Sequence, residues 1–203
     1  MKQYGNFKRL CFDDILLVPQ HSDIESRRQV DLGSGIGRVS PRIIAVSTPV
    51  IAAPMDTVCE WQMAVRIREL GGLGIIHRYM DIKQQAIQYG FVKSHGKIAG
   101  AAIGATGDYV DRAWQLISAG CRILLIDTAN GHSQYAIDAV KKIRQTFGSD
   151  IHIMAGNVAT YEGFARLQDA GADSIRVGIG GGSVCTTRLV SGHGVPTLAS
   201  IMD

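Results

Sequence analysis

The chain has 203 residues, of which 46% are apolar and 19% charged, with a formal net charge of +3. This composition supports a packed core and excludes a disordered chain, and the mild charge, with no Lys/Arg run longer than two, argues against a nucleic-acid partner. No apolar run reaches the roughly 18 residues of a membrane span, and the opening "MKQYGNFKRLCFDD" lacks the apolar region of a secretory signal. Cys11, Cys59, Cys121 and Cys185 form no C-x-x-C pair, so neither a zinc site nor a redox pair is indicated. A cytoplasmic protein with reduced thiols is the expectation.

Along the chain, Asp13 and Asp14 come first. Adjacent side chains diverge, so they read as capping residues rather than an acid pair. Six short apolar runs follow: "PVIAAP" (49–54), "GLGIIH" (72–77), "IAGAAIG" (98–104), "RILLID" (122–127), "IHIMAG" (151–156) and "SIRVG" (174–178). Without polar alternation, they suit parallel strands buried on both faces. Helical patterns separate them: "WQMAVRIREL", "DYVDRAWQLISAG" and "QYAIDAVKKIRQTFG". In the second, Val110, Ala113, Trp114 and Ile117 share one helical face. The "KKIR" run (141–144) reads as a solvated helix face.

Three helix ends, "ELGG", "SAGC" and "DAGAD", place Gly where a left-handed residue stops the helix just before the next strand. Strand, helix, glycine, strand, repeated, predicts a parallel β/α fold. The favoured architecture is a (β/α)8 TIM barrel truncated after about six βα units. It forms a single catalytic domain over 1–203, with Pro196 opening a last helix. An open doubly wound sheet is the alternative, disfavoured because no G-x-G-x-x-G follows the first strand.

The C-terminal edge of the sixth run carries "RVGIGGGSVCTTR" (176–188). Gly178, Gly180, Gly181 and Gly182 bare the backbone, whose N–H groups suit a phosphate and whose carbonyls suit a monovalent cation. Ser183 adds a hydroxyl, and Cys185 is placed to attack a bound ligand. Cys11, Cys59 and Cys121 read instead as small buried hydrophobes. His77 and His132 sit near the same edge, each with a structural reading, core or turn, beside a ligand-contact reading.

"GGGSVCTTR" resembles the catalytic loop of the IMP dehydrogenase / GMP reductase family. "FDDILLVP", "AAPMDTV", "GGLGIIHR", "IDTANGHS" and "AGNVAT" appear with it in the family's order. The resemblance implies a barrel assembled as a homotetramer that acts on IMP, XMP or GMP. It implies that Cys185 attacks C2 of the purine and that Thr187 helps position water or ammonia. It places Met55 against the purine, Ser183 at the phosphate and Arg176 near the nucleotide. It puts Asp127, Thr128, Ala129 and Asn157 at an NAD or NADP nicotinamide, and the carbonyls of Gly180, Gly182 and Cys185 around K+. Gly181 stands where the family often has Pro or Ser.

No CBS regulatory module interrupts "HRYMDIKQQAIQYG", and the sequence closes before the family's Asp-Gly-Gly loop, flap and the dehydrogenase's catalytic Arg. "FDDILLVP", "GGLGIIHR" and "DTANGHS" favour the dehydrogenase, whereas "SRRQVDL" and the absent module lean toward the reductase. A non-catalytic nucleotide-binding barrel is the remaining expectation.

Overall fold

Two three-residue strands, β1 (Ser34–Ile36) and β2 (Ile44–Val46), pair antiparallel, and six parallel strands follow. These are β3 (Ile51–Ala52), β4 (Leu73–Ile76), β5 (Gly100–Ile103), β6 (Ile123–Asp127), β7 (His152–Val158) and β8 (Ser174–Val177). The computed structural model describes residues 10–37 and 43–203. The six strands form one sheet in strictly sequential order. A doubly wound sheet would reverse direction midway. This sheet advances one way and curls, as the expected truncated barrel does.

The helices are α1 (Trp61–Glu69), α2 (Ile82–Ser94), α3 (Tyr109–Ser118), α4 (Gln134–Phe147), α5 (Tyr161–Asp169), α6 (Thr187–Ser191) and α7 (Thr197–Met202). Side-chain oxygens of Asp81, Ser133 and Thr160 cap α2, α4 and α5, each accepting a backbone N–H of the first turn. Gly71, Gly120 and Gly171, at φ +89°, +103° and +108°, end α1, α3 and α5. After each, the next N–H returns to a carbonyl five residues back: Gly72 to Ile67, Cys121 to Leu116 and Ala172 to Leu167.

Alternation along the strands separates two cores. Ile76, Ala101, Ile103, Leu124, Ile126, Ile153 and Ala155 pack outward on the helices. Leu73, Ile75, Ala102, Ile123, Leu125 and Met154 face the concave side, where Ile44 and Val46 of the β1–β2 hairpin cover them. The sequence reading missed this hairpin because its strands are too short, and its "GSGIG" too glycine-rich, to show a period. At about 25 cal/mol per Å2, each Leu or Ile it helps bury contributes on the order of 2 kcal/mol.

Three expectations need correction. On α3 the buried residues are Arg112, Ala113 and Leu116, while Trp114 is half exposed and meets the Phe147 ring edge-on at 4.7 Å. Arg144 is not part of a solvated face. It pairs with buried Asp173 and donates to the carbonyls of Gly148, Ile151 and Gly171, tying α4 to the strand entrances. Cys59 and Cys121 are buried as expected, but Cys11 is only half-buried. Asp14 does cap: its carboxylate accepts Cys11 N–H at 2.7 Å.

Candidate functional site

The strands end together, and their registers set the site. Asp127 on β6 lies beside Gly156 on β7, which lies beside Arg176 on β8. All three face the concave side, one layer above Leu125 and Met154. Arg176 Nη1 donates to Asp127 Oδ1 at 2.9 Å, across the bare glycine. Next along β7, Asn157 Nδ2 donates to Gly178 O at 2.8 Å, which pins the start of the glycine loop. Thr128 Oγ1 donates to Gly156 O at 2.9 Å.

Asp127, Thr128, Asn157, Arg176 and Gly178 line a cleft of about 330 Å3 with Arg78, Tyr79, Ala129, Ile179, Gly180, Cys185 and Thr187. Of the sequence-derived candidates, Asp127, Thr128, Ala129, Asn157, Arg176, Gly180, Cys185 and Thr187 thus come together. Met55, Ser183 and Gly182 do not line it. Met55 is half exposed in the turn after β3, and Ser183 is exposed on the loop. A neighbouring cleft of about 320 Å3 shares Arg78, Asp127, Thr128 and Ala129 and adds Gly104, Ala105, Thr106, Asn130, Ser133 and Tyr135.

Cys185 is chemically distinct from the two buried thiols. The Thr187 hydroxyl, then the Thr187 backbone, then the Arg188 charge hold its pKa below the ordinary thiol value, outweighing slight burial. Burial instead pushes Cys59 up to about 11 and Cys121 up to about 12.

Arg78 escaped the sequence reading, although it lies just two residues past β4, at the edge where a barrel presents functional side chains. Its guanidinium lines both clefts, and Nη2 reaches Asp127 O only at 3.5 Å. Its Nε is buried without a partner. His77 is structural: buried, its Nδ1 accepts Tyr79 N–H, and its Nε2 lies 3.4 Å from Glu60. His132 is a turn residue whose N–H meets Asn130 Oδ1.

The second cleft offers hydroxyl and amide groups (Thr106, Thr128, Asn130, Ser133) beside an aromatic ring (Tyr135), a donor set that fits a nicotinamide with its ribose. The glycine loop fits a monovalent cation less well. Gly182 O accepts Cys185 N–H at 3.1 Å and faces the Arg188 guanidinium at 3.5 Å, so a cation there would have to displace a positive charge. Among the described residues no cluster of His, Cys, Asp and Glu could hold a metal, and no helix is long and apolar enough to cross a membrane.

Residues 9–203 match the family model described as IMP dehydrogenase / GMP reductase domain. An inosine-5'-monophosphate dehydrogenase of Nitrosopumilus maritimus is 29% identical over 96% of this chain and 66% of its own length. That of Cryptosporidium parvum is 34% identical over 96% of this chain and 57% of its own. A GMP reductase of Leishmania major is 26% identical over 96% and 66%. The chain therefore spans about three fifths to two thirds of these relatives' length.

Proposed function

Because the chain belongs to the IMP dehydrogenase / GMP reductase family, we propose that it acts on purine nucleotides at C2 through a covalent Cys185 adduct, as an IMP dehydrogenase. One observation carries the reading: a thiol of lowered pKa lines a cleft with Arg176, Asn157 and Asp127 at the C-terminal strand edge. In that reading the Cys185 thiolate adds to C2 of IMP. The C2 hydrogen departs as hydride, leaving a thioimidate on Cys185. Water then attacks C2, the thiolate leaves, and the sum is IMP + NAD+ + H2O to XMP + NADH + H+.

A thiolate suits both halves, being a strong nucleophile and a good leaving group. The Thr187 hydroxyl stabilises the thiolate before attack and after expulsion, and is placed to orient the incoming water. Arg176, its guanidinium oriented by Asp127, flanks the nucleotide with positive charge. When bound in the adjoining cleft, the nicotinamide supplies the hydride acceptor. The shared wall of Asp127, Thr128 and Ala129 sets its distance from C2, which prepays the orientation entropy of the transfer. The loop carbonyls would meet K+ only after Gly182 turns away from Cys185 and Arg188, so no step is routed through the ion. A cytoplasmic homotetramer is part of the same proposal.

A second reading, GMP reductase, is favoured by the direct passage from β4 into α2. It shares the Cys185 adduct and runs GMP + NADPH + H+ to IMP + NADP+ + NH3. Parallel assays decide: IMP with NAD+ and K+, and GMP with NADPH, each followed by nicotinamide absorbance. NADH formation supports the dehydrogenase, and NADPH loss supports the reductase. Silence in both, with nucleotide still bound, supports a non-catalytic nucleotide-binding barrel.

A further inference from the structure

Gln85, on the second turn of α2, is fully buried, which is uncommon for an amide side chain. Its Nε2 donates to His77 O at 2.9 Å and Ala102 O at 2.8 Å, with Ile76 O at 3.4 Å. Its Oε1 accepts from Arg112 Nη1 at 3.0 Å. Arg112, also buried, donates from the same Nη1 to Met80 O at 3.0 Å and is paired through Nη2 with Asp108 at 2.7 Å. One connected unit therefore grips the backbone carbonyls at both ends of the segment 77–80. Between those grips sits Arg78, whose head has a long Nη2 contact and an unpartnered buried Nε.

We infer that Gln85, bridged to Arg112, is a positioning residue that fixes Arg78 at the wall shared by the two clefts. The head of Arg78 makes one long hydrogen bond and lies 5.3 Å over the ring of Tyr79, itself within the segment 77–80, so its place is set by that segment's backbone. Gln85 satisfies that backbone at His77, and Arg112 satisfies it at Met80. A buried network with its main groups bonded rigidifies what it touches. Nε of Arg78 stays unsatisfied and its guanidinium lines both clefts, which suits a donor awaiting an acceptor. The ligand side of this inference rests on the nucleotide reading above.

The test uses the whole chain and the C6-halogenated nucleotide 6-chloropurine riboside 5'-monophosphate, whose covalent capture by Cys185 is followed by mass. Gln85→Met removes the amide at similar length. It should raise the half-saturating nucleotide concentration about tenfold, as loss of an orienting partner does. The limiting labelling rate should stay unchanged, because Cys185 is on another loop. Gln85→Met combined with Arg78→Ala should then cost no more than Arg78→Ala alone. A parental half-saturation, or additive losses, overturns the inference.

Hydrogen exchange supplies a readout that needs no ligand. Amides of 77–80 should exchange faster in Gln85→Met, with β6–β8 unchanged, and an unaltered rate at 77–80 also overturns it. Absence of labelling in the parent chain counts against the nucleotide reading, and exchange then decides the clamp by itself. If Gln85→Met does not fold, Arg112→Lys gives up the bridge between Gln85 and Met80 while keeping a charge for Asp108, and is read the same way.

Discussion

Asp127 and Arg176 form an ion pair at 2.9 Å although an entire strand separates them. The strand between contributes Gly156, and nothing larger would let the guanidinium cross. A Cβ at position 156 would come within 2.7 Å of Arg176 O and 2.8 Å of Arg176 Cβ, neither of which is a mobile chain end. Gly156→Ala should therefore destabilise the fold by about 1–3 kcal/mol, the usual cost of overpacking, and part the pair. The urea midpoint reports the first effect. An unshifted midpoint would show that β8 gives way freely.

Asp127 faces both clefts, whereas Arg176 lines only the one that contains Cys185. Asp127→Ala should therefore weaken nicotinamide cofactor binding more than nucleotide binding, and Arg176→Ala the reverse. Titration of each ligand against each variant checks the split. Equal losses in both would mean that the pair acts as one unit.

Cys185 should be the thiol that alkylates first in the native protein. Its pKa is lowered by Thr187 and Arg188, whereas burial raises those of Cys59 and Cys121. A lowered pKa means that thiolate forms at lower pH. The pH–rate curve for iodoacetamide at Cys185 should thus rise earlier in the folded chain than in the urea-unfolded chain. Thr187→Val should move it back toward the unfolded curve. Coincident folded and unfolded curves would remove the basis for naming this thiol the nucleophile, as would halogenated-nucleotide labelling that survives Cys185→Ala.

Gly181 has a steric explanation. A side chain there would fall on Thr197 Oγ1 at the start of α7, so Thr197 occupies the space that a Pro or Ser would need. Gly181→Ser should loosen α7 from the loop, and Thr197→Gly should restore it. Hydrogen exchange across α7 in the single and double variants measures this. A double variant no better than Gly181→Ser would point to the backbone instead.

Asp173 is buried, pairs with Arg144, and accepts Ile153 N–H at 2.8 Å. Asp173→Ala removes one partner of the partly exposed Arg144, which keeps its carbonyl contacts, and leaves the buried Ile153 N–H without its acceptor, at a cost of about 1–3 kcal/mol. Thermal melting should show a drop of several degrees.

The strands and the helix ends were legible because their causes are local. A doubly buried parallel strand is apolar throughout, as "ILLI" in β6 is, and a left-handed helix stop needs glycine. Asp127, Thr128, Ala129, Asn157, Arg176 and Thr187 were named by resemblance, and the β/α repeat explains why these strand ends share one cleft. What escaped depends on long-range pairing. Gln85 and Arg112 look like solvated helix residues until the chain brings carbonyls of β4 and β5 to them. Arg144 looks like one more charge in "KKIR" until Asp173, far along the chain, arrives beside it. Met55 and Ser183 were placed by resemblance, and the structure sets both outside the cleft that holds Cys185.

The wall made by Arg78, Asp127, Thr128 and Ala129 has a cleft on each side. A partition with two faces cannot be redecorated on one side alone. In the proposed reading, with nucleotide in one cleft and cofactor in the other, any inherited change at these four positions is tested twice and survives only if both tolerate it. Residues that touch a single cleft, such as Tyr135 or Ile179, carry no such double obligation. Divergence in what this scaffold accepts therefore has its open routes at the outer rims, while the partition itself is held still from both directions.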